Sequence, residues 1–375
     1  MQQSVLVTGA TGAVGREIVS RLLQDSDLEI YLLLHEQGLG RDRSTLLREV
    51  FSLSPSREYF QRIHLLRGDI TRQSVGLSAG EHREVTRRVS HILHAAATTR
   101  FDLSLQEARH TNVLGTEQMI RLAECCEKLE RFGFVSTAYV AGKRTGTICE
   151  EERSHVHGFA NTYEQSKFEA EARLEEAHHR LPNAIYRFST VLGDSRTGKV
   201  THYTAPHHAL RMMHLGLVAM LPGSSAYSVD LIPADFAAGV LCRLYMHHFK
   251  PGQVFHITAA ERGTYTLEEI IEESYRYMAE FDPEWARRRY PKPVITSLEA
   301  FELFVRSADQ VNNPIMQGVM RALRHFAQQL AYPKHFDRTV LLTCLADYDN
   351  RMPDVRSYYP KVVKYCLTTG WGKNA

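Results

Sequence analysis

Three glycines near the start of the chain constrain its fold more than any other feature: Gly9, Gly12 and Gly15, in Thr8-Gly-Ala-Thr-Gly-Ala-Val-Gly. They directly follow the apolar run 5–7 and directly precede an amphipathic stretch, 14–23, with apolar residues at three- and four-residue intervals. A strand that turns on glycine into a helix lets backbone approach a pyrophosphate closely. The helix start then offers free N–H groups and the positive end of its dipole. Gly9, Thr11, Gly12, Ala13, Val14 and Gly15 are therefore expected to cradle a dinucleotide. The competing reading is a turn with a structural role alone.

The rest of the first half repeats this alternation. Short apolar runs at 30–34, 63–66, 91–94, 133–136 and 184–188 are separated by helix-like segments such as 108–129 and 163–177. That order predicts an α/β fold, a doubly wound parallel sheet with helical crossovers of the Rossmann kind. After Gly193 the pattern changes to loops rich in Gly, Ser and His, one further strand at 254–257, and mostly helix out to Trp371, cut by prolines such as Pro283, Pro291, Pro314 and Pro353. A chain of 375 residues exceeds what one core usually holds. The expected division is a dinucleotide-binding domain at 1–195 plus about 228–260, and a smaller, mainly helical substrate lobe at about 196–227 and 261–375.

Tyr163 and Lys167 lie four residues apart in the segment 163–177, which places both on one helical face. An ammonium there is expected to stabilise a phenolate and lower the tyrosine pKa, and to hold a nicotinamide ribose. Such a pair occurs by chance on many helices, so its position matters. It follows the run Phe134-Val-Ser-Thr-Ala-Tyr139, which puts Ser136 and Thr137 at the C-terminal edge of the sheet, where open α/β folds bind ligands. A hydroxyl there can stabilise a carbonyl oxygen as charge builds on it.

With His94-Ala-Ala-Ala97 and Asn112-Val-Leu-Gly-Thr116 added, these motifs resemble the extended short-chain dehydrogenase/reductase family over residues 1 to about 260. The residues around Tyr139 and Tyr163 are most similar to the branch of thioester reductases, fatty acyl reductases and carboxylic acid reductase terminal domains. The resemblance implies catalytic roles for Thr137, Tyr163 and Lys167, with Ser136 beside them. It implies Asp69 and Ile70 at the adenine, Ala95 and Ala96 along the cofactor, and Asn112 in support of the site. It implies reduction of an acyl thioester, carried by coenzyme A or by an acyl or peptidyl carrier protein in trans, to an aldehyde or alcohol. Two departures stand out: Arg187-Phe188-Ser189, where relatives often have proline after the arginine, and His35, where that branch often has arginine. Two other functions stay open at this point. One is the same machinery acting on a ketone, alcohol or nucleotide sugar; the other is a dinucleotide sensor without turnover.

His35 at the end of the second run, with Arg41 and Arg43, suits a ribose 2′-phosphate, while Glu36 opposes it. NADPH is the expected cofactor, with NAD as the alternative. A net charge of +2 gives no field that would draw nucleic acid, so small molecules are the expected partners. The short basic run 287–289 reads as a solvated face, or as a dock for an acidic carrier protein. Cys125 and Cys126 read as two buried thiols on a helix, and neither the six cysteines nor His207, His208, His214, His247 and His248 show metal-ligand spacing, so no metal is expected. A strand starting at Ser4 leaves no room for a secretory leader, and no apolar run reaches membrane-spanning length. A cytoplasmic setting is expected.

Overall fold

The computed structural model describes residues 3–35, 43–51, 53, 54, 56–310, 317, 318, 320, 323, 324 and 327–372. Seven strands build the main sheet: β1 (Ser4–Thr8), β2 (Glu29–Leu34), β3 (Ile63–Arg67), β4 (His91–His94), β5 (Arg131–Thr137), β6 (Asn183–Phe188) and β7 (Val254–Ile257). All pair in parallel, in the order β3-β2-β1-β4-β5-β6-β7. Every residue of β1, β4, β6 and β7 is buried, because helices cover both faces of the sheet. That is why the expected strands read as mainly apolar runs without polar alternation. The strand order reverses direction between β1 and β4, and at such a switch point the connections leave in opposite directions and open a crevice at the strand ends.

The helix Gly15–Asp25 packs with the helix Ala234–His247 on one face of the sheet. Helices Ala79–Arg88, Gly115–Glu124 and Thr162–Glu176 cover the other. A separate apolar cluster gathers Leu210, Met213, Leu231, Tyr265, Met278, Phe301, Tyr358 and Val362 into a second lobe. Leu341, Leu345, Tyr348 and Met352 return to the sheet and join the cluster of the first face. The Glu150 carboxylate anchors this return by accepting the N–H groups of Val340 (2.5 Å) and Leu341 (3.2 Å) at the start of the helix Thr339–Cys344.

Several features depart from expectation. The second half of the chain contains short strands that periodicity does not reveal: Thr190–Leu192, Met220–Pro222, Ser228–Pro233, Thr264–Thr266, Val294–Thr296 and Lys334–Phe336, the last paired with Gly146–Ile148. The helix expected over 108–129 ends at Glu124 and widens into a π-helical turn at His110–Leu114. Cys125 is consequently exposed just past the helix end and Cys126 half-buried, in place of two buried thiols. Among the described residues no helix is long and apolar enough to cross a membrane.

Candidate active site

A cleft of about 780 Å³ opens at the C-terminal ends of β1, β4, β5 and β6, at the point where the strand order reverses. Gly9, Thr11, Gly12, Ala13, Val14 and Gly15 line one end of it, together with Ile70, Ala95 and Ala96. Gly9 has φ +70°, a backbone state that favours glycine, and a Cβ there would stand 2.6 Å from the Ala95 carbonyl carbon and the Ala96 nitrogen. A Cβ on Gly15 would stand 2.0 Å from the Gly9 oxygen. The turn is thus pressed against the end of β4 on one side and closed on itself on the other. Thr8 ties the same two strands together: its Oγ1 accepts the Ala96 N–H at 3.1 Å and bonds His94 Nδ1 at 2.7 Å. Burial pulls the His94 pKa down to about 3, so this imidazole is neutral.

The other end of the cleft holds the chemically active side chains Ser136, Thr137, Tyr163 and Lys167. Thr137 closes β5, donating to the Phe188 carbonyl at 3.2 Å and accepting the Tyr139 N–H at 3.2 Å. Tyr163 sits in the first turn of the helix Thr162–Glu176, which Asn161 caps by accepting the Glu164 N–H at 2.9 Å. Phe101 stacks on the Tyr163 ring with centroids 5.6 Å apart. One turn further on, Lys167 Nζ donates to the Val135 carbonyl at 2.8 Å and lies 3.8 Å from the centre of the Phe134 ring. Burial lowers the Lys167 pKa to about 7, with Glu171 acting in the opposite direction.

Tyr163 behaves differently from expectation. Burial pushes its phenol well above the usual range, and the neighbouring Thr137 hydroxyl offsets part of that rise. The ammonium of Lys167 is spent on Val135 and Phe134, so the phenol is protonated at neutral pH and stands ready as a proton donor.

Two networks hold this helix in place. Asn112, from the π-helical turn, donates through Nδ2 to Ser166 Oγ (2.9 Å) and to the Thr98 carbonyl (3.1 Å), while its Oδ1 accepts the Thr98 N–H at 2.9 Å. Behind Lys167, Glu171 takes a bidentate bond from Arg187, at 3.0 Å from Nε and 2.7 Å from Nη2, with both side chains 1% exposed. Burial raises the Glu171 carboxyl, and the guanidinium outweighs it and holds it below the ordinary range. Arg187 therefore serves a buried ion pair in the strand next to β5.

Not every expected residue reaches the cleft. Asn112 stands behind it. Asp69 turns its carboxylate onto the N–H and hydroxyl of Thr71, at 2.9 and 2.8 Å. His35 is exposed, with Nε2 4.0 Å from Asp69 Oδ2. Glu36, Arg41 and the Arg43 side chain lie outside the described residues. His202 and His207 line the cleft, whereas His214 is stacked on Trp285 and bonded to Asp282 at 3.2 Å. The cleft also has walls that sequence reasoning did not find: Phe101, Thr190, Leu192 and, from far along the chain, Gln329. No motif marks Gln329.

A dinucleotide fits this donor set. The glycine turn and the start of the helix Gly15–Asp25 border the cleft at one end, and the hydroxyls of Thr137 and Tyr163 border it at the other. The model of an NAD-binding family described as male sterility protein matches residues 7–241. The chain belongs to this family. It carries an NAD(P)-binding domain, as the glycine turn implied.

Individual relatives agree. The chain is 32% identical over 268 residues to a linear gramicidin synthase of Brevibacillus parabrevis, a match covering 68% of this chain and 5% of that protein. It is 24% identical over 317 residues to fatty acyl-CoA reductase wat of Drosophila melanogaster, covering 73% and 61% of the two. The chain thus spans only part of the length of these relatives. Among solved structures, the terminal R domain of the myxalamid PKS-NRPS biosynthetic pathway superposes with TM-score 0.80 at 24% identity, covering 99% of this chain and 92% of that one. UDP-glucuronic acid 4-epimerase from Bacillus cereus superposes with TM-score 0.65 at 16% identity, over 99% and 100%. These likenesses establish a shared fold, and the resemblance read from the motifs is borne out at the level of family.

Proposed function

We propose that this chain is an NADPH-dependent reductase of acyl thioesters, yielding an aldehyde or alcohol. One observation carries the reading: a single cleft joins the glycine turn of Gly9, Gly12 and Gly15 to Thr137, Tyr163 and Lys167. Bound along it, a reduced nicotinamide would supply hydride to the thioester carbonyl carbon. The Tyr163 phenol and the Thr137 hydroxyl, once it turns from the Phe188 carbonyl, would donate hydrogen bonds to the carbonyl oxygen as negative charge builds there. Tyr163 Oη, protonated in its buried setting, hands its proton to that oxygen, giving a hemithioacetal whose C–S bond then breaks to release the thiol and leave the aldehyde; a second hydride from another reduced nicotinamide would take the aldehyde to the alcohol. Lys167, one helical turn from Tyr163 on the same face, would hold the nicotinamide ribose.

The relatives support the substrate class, since they include fatty acyl-CoA reductases and a terminal R domain. The acyl group would arrive on coenzyme A or on a separate carrier protein. NADPH is preferred over NADH because His35, Arg41 and Arg43 follow β2. The setting is cytoplasmic, in keeping with six unpaired cysteines. We further propose the division into a dinucleotide domain, 1–195 plus about 228–260, and a substrate lobe from the remainder.

The test is a cofactor-oxidation screen with NADPH and NADH across acyl-CoAs, carrier-bound thioesters, aldehydes, ketones and nucleotide sugars. The expected result is oxidation with thioesters, faster with NADPH. Oxidation with only ketones or nucleotide sugars would overturn the substrate assignment. Dinucleotide binding without turnover on any of them would make the chain a sensor.

A further inference from the structure

A second cavity, of about 150 Å³, adjoins the catalytic cleft and shares six wall residues with it: Tyr139, Thr190, Leu192, Ala205, Pro206 and Gln329. Beyond this lip the wall is apolar, built mainly from Leu210, Met213, Leu221, Leu267, Ile271 and Leu330. Several of the polar groups that border it are engaged with the protein itself. Tyr139 Oη and Thr190 Oγ1 bond each other at 3.0 Å, Asp230 accepts the Ala259 N–H at 2.7 Å, and Lys334 Nζ donates to the Tyr332 carbonyl at 2.9 Å. A ligand entering from the cleft therefore meets a wall that is mainly hydrocarbon.

The helix Ala205–His214 forms one side of both spaces. Ala205, Ala209 and Met213 follow one another at four-residue spacing, so they share one face of that helix. The two alanines leave room where larger side chains would close the passage, and the longer, buried Met213 stands two turns further in. Small residues at the entrance and a bulky one at depth make a graded channel.

We propose that this pocket receives the hydrocarbon tail of an unbranched saturated acyl substrate, with Ala209 setting its width and Met213 its depth. The proposal rests on the thioester-reductase reading, which puts the acyl carbonyl at Thr137 and Tyr163, two residues from the lip at Tyr139. At roughly 30 Å³ per water-sized group, a space of about 150 Å³ takes about five methylenes. The first carbons of the chain remain in the cleft, so the pocket fills at about six to eight carbons in all.

Two measurements on the full chain test this. The first is kcat/KM for saturated acyl-CoAs from acetyl to palmitoyl, for the wild type, Ala209→Phe and Met213→Ala. The second is calorimetric binding of the matching straight-chain alcohols, which needs no turnover. Each methylene that enters the pocket is expected to add about fourfold, with a plateau near the octanoyl chain in the wild type. Ala209→Phe should move the plateau to shorter chains and Met213→Ala to longer ones. Opposite shifts in the two variants cannot come from general destabilisation. Thioester reduction with the same chain-length profile in all three proteins would overturn the pocket and leave the reaction standing. Chain-length-dependent alcohol binding, weakened tenfold for octanol by Ala209→Phe, in a protein that reduces no thioester would support the pocket and overturn the reaction. Equal binding of short and long alcohols by all three proteins would overturn the pocket whatever the activity.

Discussion

Lys167 Nζ donates to the Val135 carbonyl at 2.8 Å, so the one ammonium in the catalytic cleft that shares a helix face with Tyr163 is tied to the strand carrying Thr137. The bond fixes the spacing between the helix and β5, and with it the spacing between the Tyr163 phenol and the Thr137 hydroxyl.

Burial of that ammonium has a pH signature. Its pKa falls from 10.5 to about 7 on folding, so between those values the unfolded chain holds a proton that the native chain has released. Stability contributed by this site therefore rises with pH through that window, by at most about 1.4 kcal/mol per pH unit. Below about pH 7 both states are charged and the full penalty of burying the ammonium persists. Lys167→Met removes the proton-linked part. Urea unfolding should show the variant's stability, relative to wild type, to be more favourable at pH 7 than at pH 9.5; an equal difference at both values would contradict the assignment.

The glycine turn separates two roles. A Cβ on Gly15 would meet the Gly9 oxygen at 2.0 Å, while one on Gly12 would meet it at 3.2 Å. Gly15→Ala should lose about 1–3 kcal/mol of stability through overpacking. Gly12→Ala should stay within about 1 kcal/mol of wild type, yet bind the dinucleotide roughly tenfold more weakly because its methyl enters the cleft where backbone approaches the ligand. Denaturation and cofactor titration of the two variants check this, and equal stability losses would refute the separation.

Much of this was legible before the structure. The main strands read as mainly apolar stretches because both sheet faces are covered, and the glycine turn, Thr137, Tyr163 and Lys167 mark the cleft by their place relative to those strands. Other features carry no local signal. Strands of three residues, such as Thr190–Leu192, are too short for periodicity, and Gln329 enters the cleft wall from a short turn far along the chain, where it bonds Glu164. His35 was placed at the cofactor by its position after the second strand, and Asp69 by family resemblance. The loop after β3 instead turns Asp69 onto Thr71, a local bond that position along a strand does not reveal.

Arg187 follows the same logic. Its buried pair with Glu171 should make single changes severe and a matched double change mild, since removing one partner leaves an uncompensated charge while apolar replacement of both does not. Glu171→Leu or Arg187→Met alone should lose about 3–5 kcal/mol. The double variant should recover most of that loss. Additive losses in a double-mutant cycle would argue against the pair acting as a unit.

The central claim is that Tyr163 and Thr137 act on a thioester carbonyl in this cleft. Its most direct test is single-turnover NADPH oxidation with octanoyl-CoA in wild type and Tyr163→Phe, alongside dinucleotide binding by fluorescence. The phenylalanine ring keeps its stacking on Phe101 and loses only the proton donor. The rate should fall by about 100-fold or more while the cofactor Kd changes little. An unchanged rate in Tyr163→Phe would contradict the account.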